Sequence, residues 1–138
     1  MDFSFGIAWS FRNSSGGLEG LVIKSSKATK KRRRMVLKLD ADARQRVFER
    51  DNFACMRCGK KENLNWAHVL SRRDISLRWE ADNGMTLDAG CHMFWHHQPA
   101  LAVDWLQKNH REQWDRLMAL HVLNPKVNIR ERFEELSQ

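Results

Sequence analysis

The sequence predicts an α+β fold in which two short β-strands and a helix surround a cysteine knuckle, with helices on either side. Three observations carry that expectation. Cys55-Met56-Arg57-Cys58-Gly59 has knuckle spacing, and Gly59 has the backbone freedom to close it. Trp66-Ala67-His68-Val69-Leu70 and Met85-Thr86-Leu87 read as strands, the second entered through Asp82-Asn83-Gly84, the strongest turn signal in the chain. A short helix then carries Cys91 through His96 or His97 and stops at Pro99.

The flanking elements follow from local pattern. Residues 1–23, with Gly16-Gly17 and Gly20, suit a short hairpin ending in Leu21-Val22-Ile23 or no fixed structure. From Lys24 to Lys38 the chain is strongly basic around Lys30, Lys31, Arg32, Arg33 and Arg34, the composition of a solvated arm. Asp40 is placed as an N-cap for a helix over 41–50, with Ala43, Val47 and Phe48 as its apolar stripe. Pro99 opens a longer helix to about His121, with Leu101, Trp105, Leu106, Trp114, Leu117 and Met118 on its apolar side. Pro125 breaks it, and residues 128–137 form one more short amphipathic helix.

Composition narrows the function classes. At 138 residues there is material for one modest domain and a tail, and 42% hydrophobic residues allow a packed core. No run approaches the roughly 18 apolar residues of a membrane span, and the Met-Asp-Phe-Ser-Phe-Gly start lacks a basic leader. A cytoplasmic protein with no membrane partner is therefore expected. The formal net charge of +7, from 24 Lys and Arg against 17 Asp and Glu, favours a polyanionic partner. The basic run would neutralise phosphates and release counterions without reading sequence.

The three cysteines argue for metal rather than a disulfide framework. Their count is odd, two are spaced Cys-x-x-Cys, and Cys91 adjoins His92. Four of the six histidines lie between positions 68 and 97, and His92 and His96 are four apart, so on a helix they share a face and can hold one ion. Such pairs elsewhere often only pack or face solvent. The neighbouring knuckle, with His68 and Asn83 upstream, gives this pair more weight.

In order and spacing, Cys55-x-x-Cys58, Ala67-His68-Val69, Asp82-Asn83-Gly84 and Cys91-His92-x-x-x-His96 resemble the HNH nuclease family. The resemblance is strongest to small phage-type members whose helix reads Cys-His-x-x-Trp-His, and it covers about residues 44–99. It implies a ββα-metal core, placed over 40–99; composition and pattern leave a basic N-terminal arm over 1–39 and a helical extension over 100–138. It implies a DNA endonuclease of low sequence specificity, with His68 as general base and Asn83 holding His68 in register. His92 and His96 would hold a catalytic Mg, Mn or other divalent ion. Structural zinc would sit on Cys55, Cys58 and Cys91. DNA is the implied partner, and a homodimer is allowed without being required.

Two positions depart from the family pattern. Ala67 stands where many members have a metal-binding Asp or His, which leaves two protein ligands for the catalytic ion. The second knuckle, usually Cys-x-x-Cys, reads Asp88-Ala89-Gly90-Cys91. Asp88 is then either the fourth zinc ligand, since zinc accepts carboxylate oxygen, or only a helix N-cap.

The other features have plainer readings. His97 faces away from the pair or substitutes for His96, and His110 and His121 pack or face solvent. Trp66 and Trp95 brace the site. Arg72 and Arg73 fall where a substrate phosphate would approach. Two other functions remain open: a non-cutting zinc-knuckle protein that binds nucleic acid, kept alive by Ala67, and a redox protein built on Cys55 and Cys58. The second lacks a surrounding βαβ pattern.

Overall fold

The computed structural model describes residues 26–137, so the hairpin read into 1–23 lies outside the described residues. Within them the fold is α+β, with five helices and a two-stranded sheet. The order is α1 (Lys27–Arg50), β1 (Leu64–His68), a 3₁₀ turn (Ala81–Asn83), β2 (Gly84–Asp88), α2 (Ala89–His97), α3 (Pro99–Asn109), α4 (Arg111–Leu123) and α5 (Ile129–Leu136).

Helix α1 starts earlier than expected. Ser26, not Asp40, is its N-cap, with Oγ accepting from the Thr29 N–H at 3.1 Å. Lys30, Lys31, Arg32, Arg33 and Arg34 are therefore exposed positions on a regular helix, not an arm apart from it. Asp40 sits in mid-helix and points inward across the fold. Its two oxygens take Arg78 Nε at 2.8 Å and Nη2 at 2.7 Å, and Trp79 Nε1 donates to Oδ1 at 2.9 Å. The capping pattern lost to a tertiary pairing 38 residues away. Leu39, Ala43, Val47 and Phe48 form the buried stripe.

Strands β1 and β2 pair antiparallel, Leu64 opposite Asp88 and His68 opposite Gly84. Alternation assigns the two faces. Ala67, Met85 and Leu87 join Cys91, Trp95, Ala102 and Leu106 in one core cluster. On the other face Trp66 packs against the α1 residues Leu39 and Ala43 together with Trp79. Every residue of β2 is buried, and its outer edge is sealed. Asp51 accepts the Thr86 N–H at 2.9 Å, the Met56 N–H donates to the Thr86 carbonyl at 2.9 Å, and Arg50 Nη2 donates to the Gly84 carbonyl at 2.9 Å.

The helix expected from Pro99 to about His121 is two helices. At His110 (φ −136, ψ 50) the backbone leaves the helical region, and the Asn109 side chain donates to the Trp105 carbonyl at 2.8 Å. The turn lets α4 reach back to the 3₁₀ segment, where Gln113 Nε2 donates to the Asp82 carbonyl at 2.9 Å and Arg116 pairs with both Asp82 oxygens. Asn124, in the left-handed region at φ 43, ends α4 just before Pro125, and Asn128 caps α5. No helix among the described residues is long and apolar enough to cross a membrane.

Candidate functional site

The cysteine knuckle forms a closed four-donor cluster. Cys55 and Cys58 lie on the turn that Gly59 closes at φ 77, with the Gly59 N–H on the Cys55 carbonyl at 2.8 Å. Asp88 ends β2 and Cys91 sits in the first turn of α2. One ligand atom from each of Cys55, Cys58, Asp88 and Cys91 lies within 4.8 Å of every other. Adjacent sulfurs around a tetrahedral zinc stand about 3.8 Å apart, given a Zn–S distance of about 2.3 Å. Three thiols and one carboxylate at this spacing can hold a metal ion.

Asp88 is both things the sequence offered. Its Oδ1 accepts from the Gly90 N–H at 3.0 Å and caps α2, while Oδ2 faces Cys58 Sγ at 2.9 Å. Hydrogen bonds from the Cys58 and then the Cys91 thiol hold the Asp88 carboxyl well below the usual carboxylate range. Burial, and then the Asp88 carboxylate, pushes the Cys91 thiol up to about 12. The Cys58 thiol is pushed up first by its bond to Asp88. These are protons that a metal must displace. Arg57 shields the cluster: its guanidinium lies 3.9 Å from the Phe94 ring centroid and reaches Cys91 Sγ at 3.6 Å.

The histidines converge at the other end of α2. A cavity of about 400 Å³ is lined by Trp66, His68, Ser71, Arg72, His92 and His96. His92 Nε2 and His96 Nε2 stand 3.0 Å apart on successive turns of α2. At that distance two rings share one proton, and it is also the gap between adjacent ligands held about 2.1 Å from one ion in octahedral geometry. Burial, then the neighbouring His96 charge, lowers the His92 pKa.

His68 ends β1, and its position is held from three sides. The Trp66 ring lies 4.3 Å away, centroid to centroid. Trp95 Nε1, from α2, donates to the His68 carbonyl at 3.1 Å and ties the strand end to the helix that bears His92 and His96. Asn83, fully buried, accepts the Leu70 N–H on Oδ1 at 2.7 Å; its Nδ2 donates to the Leu70 and Leu77 carbonyls at 3.2 and 3.0 Å. Its own carbonyl accepts the Val69 N–H at 2.9 Å. The loop leaving His68 is thereby clamped to the residue that enters β2.

Nε2 of His68 is buried and has no hydrogen-bond partner among the described residues. Burial is the chief reason its pKa falls below the usual 6.5. The charges of Arg72 and Arg78 add to this, and a backbone hydrogen bond at Arg78 and the Asp40 charge oppose it. The ring is accordingly neutral at neutral pH.

Not every expected residue meets this cavity. Arg72 lines it, whereas Arg73, also exposed, does not. His97 is exposed beyond the pair, and His110 stacks edge-on against Trp105 at 5.2 Å. Ala67 is buried in the core beside Trp95, so the residue before His68 supplies packing and no ligand. Ser71 and the Asp40–Arg78 pair went unnoticed in the sequence. Ser71 follows the strand pattern without a motif of its own, and Asp40 and Arg78 meet only in three dimensions.

Compared with known proteins, the chain matches no protein family, no curated protein and no solved structure.

Proposed function

We propose that the protein is a metal-dependent HNH-type DNA endonuclease with a ββα-metal core, its structural zinc on Cys55, Cys58, Asp88 and Cys91. The observation that carries this reading is one cavity lined by His68, whose buried Nε2 has no hydrogen-bond partner among the described residues, and by His92 and His96, whose Nε2 atoms stand 3.0 Å apart. A structural zinc knuckle alone requires none of these.

In this reading the His68 ring, kept unprotonated by its lowered pKa, takes a proton from water as the water oxygen bonds to phosphorus and the P–O3′ bond breaks, the leaving 3′ oxygen taking a proton from solvent. Arg72, at the rim, aligns the phosphate by charge. His92 and His96 hold a single Mg, Mn or other divalent ion; when bound, it supplies Lewis-acid stabilisation of the charge gathering on the phosphate. With only these two protein ligands, such an ion would take its remaining ligands from water and substrate phosphate. Asn83 acts indirectly, by fixing the loop that carries His68. Lys30, Lys31, Arg32, Arg33 and Arg34 lie exposed on α1 and bind phosphates without base readout. With one such centre among the described residues, a monomer nicks one strand, and a dimer is not required.

The test is conversion of supercoiled plasmid to open circles with Mg²⁺ or Mn²⁺ against EDTA, with His68→Ala in parallel. Metal-dependent nicking that disappears in the variant supports the proposal. Binding without nicking in every divalent metal favours the second reading, in which Ala67 marks a DNA-binding zinc-knuckle protein that does not cut.

A further inference from the structure

Away from the histidine cavity, α1 and α5 leave a groove of about 480 Å³ between them. On α1 its wall is Lys31, Arg34, Met35 and Lys38, positions i, i+3, i+4 and i+7 of one helical face; on α5 it is Arg130, Phe133 and Glu134. Four cations thus stand around an apolar floor of Met35 and Phe133, both half-buried. Lys38 is paired with Asp42 and Arg130 with Glu134, whereas Lys31 and Arg34 have no ion pair or hydrogen bond among the described residues.

The placement of charge works against the helix that carries it. Residues 27–38 contain seven Lys and Arg and no carboxylate, and the first turn of α1 has no acidic residue. Cations crowded at a helix N-terminus oppose the macrodipole and repel one another. A local rule broken so strongly, with Lys31 and Arg34 unpaired among the described residues, points to a polyanion outside the fold.

The apolar floor narrows the kind of polyanion. Duplex DNA shields its bases, so a protein that only tracks its phosphates needs cations and hydrogen-bond donors, not a hydrophobic trough. Single strands expose base faces, and the proteins that hold them place aromatic and apolar side chains inside a basic groove. The volume is that of a small-molecule site of roughly 300–1,000 Å³, large enough for one unstacked nucleotide with its phosphate at the rim. We infer that the α1–α5 groove holds a single-stranded segment of DNA, phosphates on Lys31 and Arg34 and a base against Phe133. The inference takes DNA as ligand from the proposed function, and gives that nuclease a preference for substrates with an unpaired segment.

The test is binding without cleavage. Full-length His68→Ala protein is titrated into fluorescein-labelled single-stranded DNA and into a blunt duplex of equal length, read by fluorescence anisotropy at several salt concentrations. The single strand is expected to bind at least tenfold tighter. Adding Lys31→Ala and Arg34→Ala should flatten its salt slope by about 1.4, at roughly 0.7 per phosphate contact. Phe133→Leu preserves apolar packing on α1 and should weaken the single strand about fivefold, in line with the loss of stacking of one base, leaving the duplex unchanged. Met35→Glu, at the half-buried α1 side of the groove floor, should do the same while leaving the α5 sequence intact, which covers a folding defect in the Phe133 variant. Equal affinity for the two DNAs, weakened equally by all variants, would overturn the proposal and leave a plain phosphate track. Binding of fluorescein-labelled poly-glutamate together with no DNA binding would overturn it in favour of an acidic protein segment. Nicking is scored separately with the wild type, so an inactive enzyme that still prefers single strands, or an active one that does not, tells the two proposals apart.

Discussion

Asn83 holds both backbone groups of Leu70: its Oδ1 takes the Leu70 N–H at 2.7 Å and its Nδ2 gives to the Leu70 carbonyl at 3.2 Å. A side-chain amide is the one common group that is donor and acceptor in the required fork. Through that amide and the Asn83 backbone carbonyl, which accepts the Val69 N–H at 2.9 Å, the two residues that follow His68 are tied to the residue that precedes β2. His68 and Gly84 are also register partners, so the clamp closes the sheet end that carries the proposed base.

Removing that clamp should be costly. Asn83→Ala leaves the Leu70 N–H and the Leu70 and Leu77 carbonyls short of partners in a buried site, at about 1–3 kcal/mol for each unsatisfied group. Asn83→Asp keeps the acceptor but turns a carboxylate toward two carbonyls, and should be at least as damaging. Urea denaturation of both variants checks this; unchanged stability would mean that the loop holds itself.

Gly84 should tolerate no side chain. A Cβ there would stand 2.6 Å from Val47 Cγ2 and 2.7 Å from Trp66 Nε1, both held by packing between α1 and the sheet. Gly84→Ala is expected to lower stability by about 1–3 kcal/mol, the usual range for overpacking, and to shift the Trp66 ring that lies on His68. Thermal denaturation and tryptophan fluorescence report the two effects.

The two proposed metal sites should separate by mutation. Asp88→Ala removes a donor of the cluster and the cap of α2 together, so it should lose the zinc and destabilise the fold. His92→Ala and His96→Ala should keep one zinc per chain and lose nicking by about 100-fold or more, as expected when an ion that stabilises the developing charge is removed. Metal analysis by mass spectrometry beside the plasmid assay reads both. Loss of zinc from the His92 variant would contradict the assignment.

The pH profile follows from His68. The proposed base must be neutral, and burial places its pKa below 6.5. Nicking should therefore rise with pH and reach half its maximum below 6.5. Arg72→Ala removes one lowering charge and should move the half-maximum upward. Stability has the same sign. The unfolded ring takes its proton first on acidification, so this contribution is complete above 6.5 and fades as pH falls through 6.5 toward the folded value. A rate that climbs with falling pH would exclude His68 as the base.

Local spacing made some of this legible. Cys55-x-x-Cys58-Gly59 needs only a tight turn, and Gly59 does adopt the left-handed conformation that closes it. His92 and His96 share a face because any helix puts i and i+4 there. The short strands, the Pro125 break and the last helix were likewise visible, with ends displaced by a residue or two. The single helix after Pro99 was not correct, because its break at His110 answers to Gln113 and Arg116 reaching the turn at Asp82.

By itself, then, the sequence determined the α+β class, the knuckle and the shared face of the histidine pair, all consequences of periodicity and turn chemistry within a few residues. Only the tertiary structure decided that Asp40 faces Arg78 and caps nothing, that Asp88 serves cap and cluster with separate oxygens, and that Trp95 anchors the His68 strand to α2. It also decided that α5 lies along the basic helix to make a groove. These relationships join side chains that lie far apart along the chain, or divide one side chain between two partners. Local pattern says which residues share a face, and packing selects which faces meet.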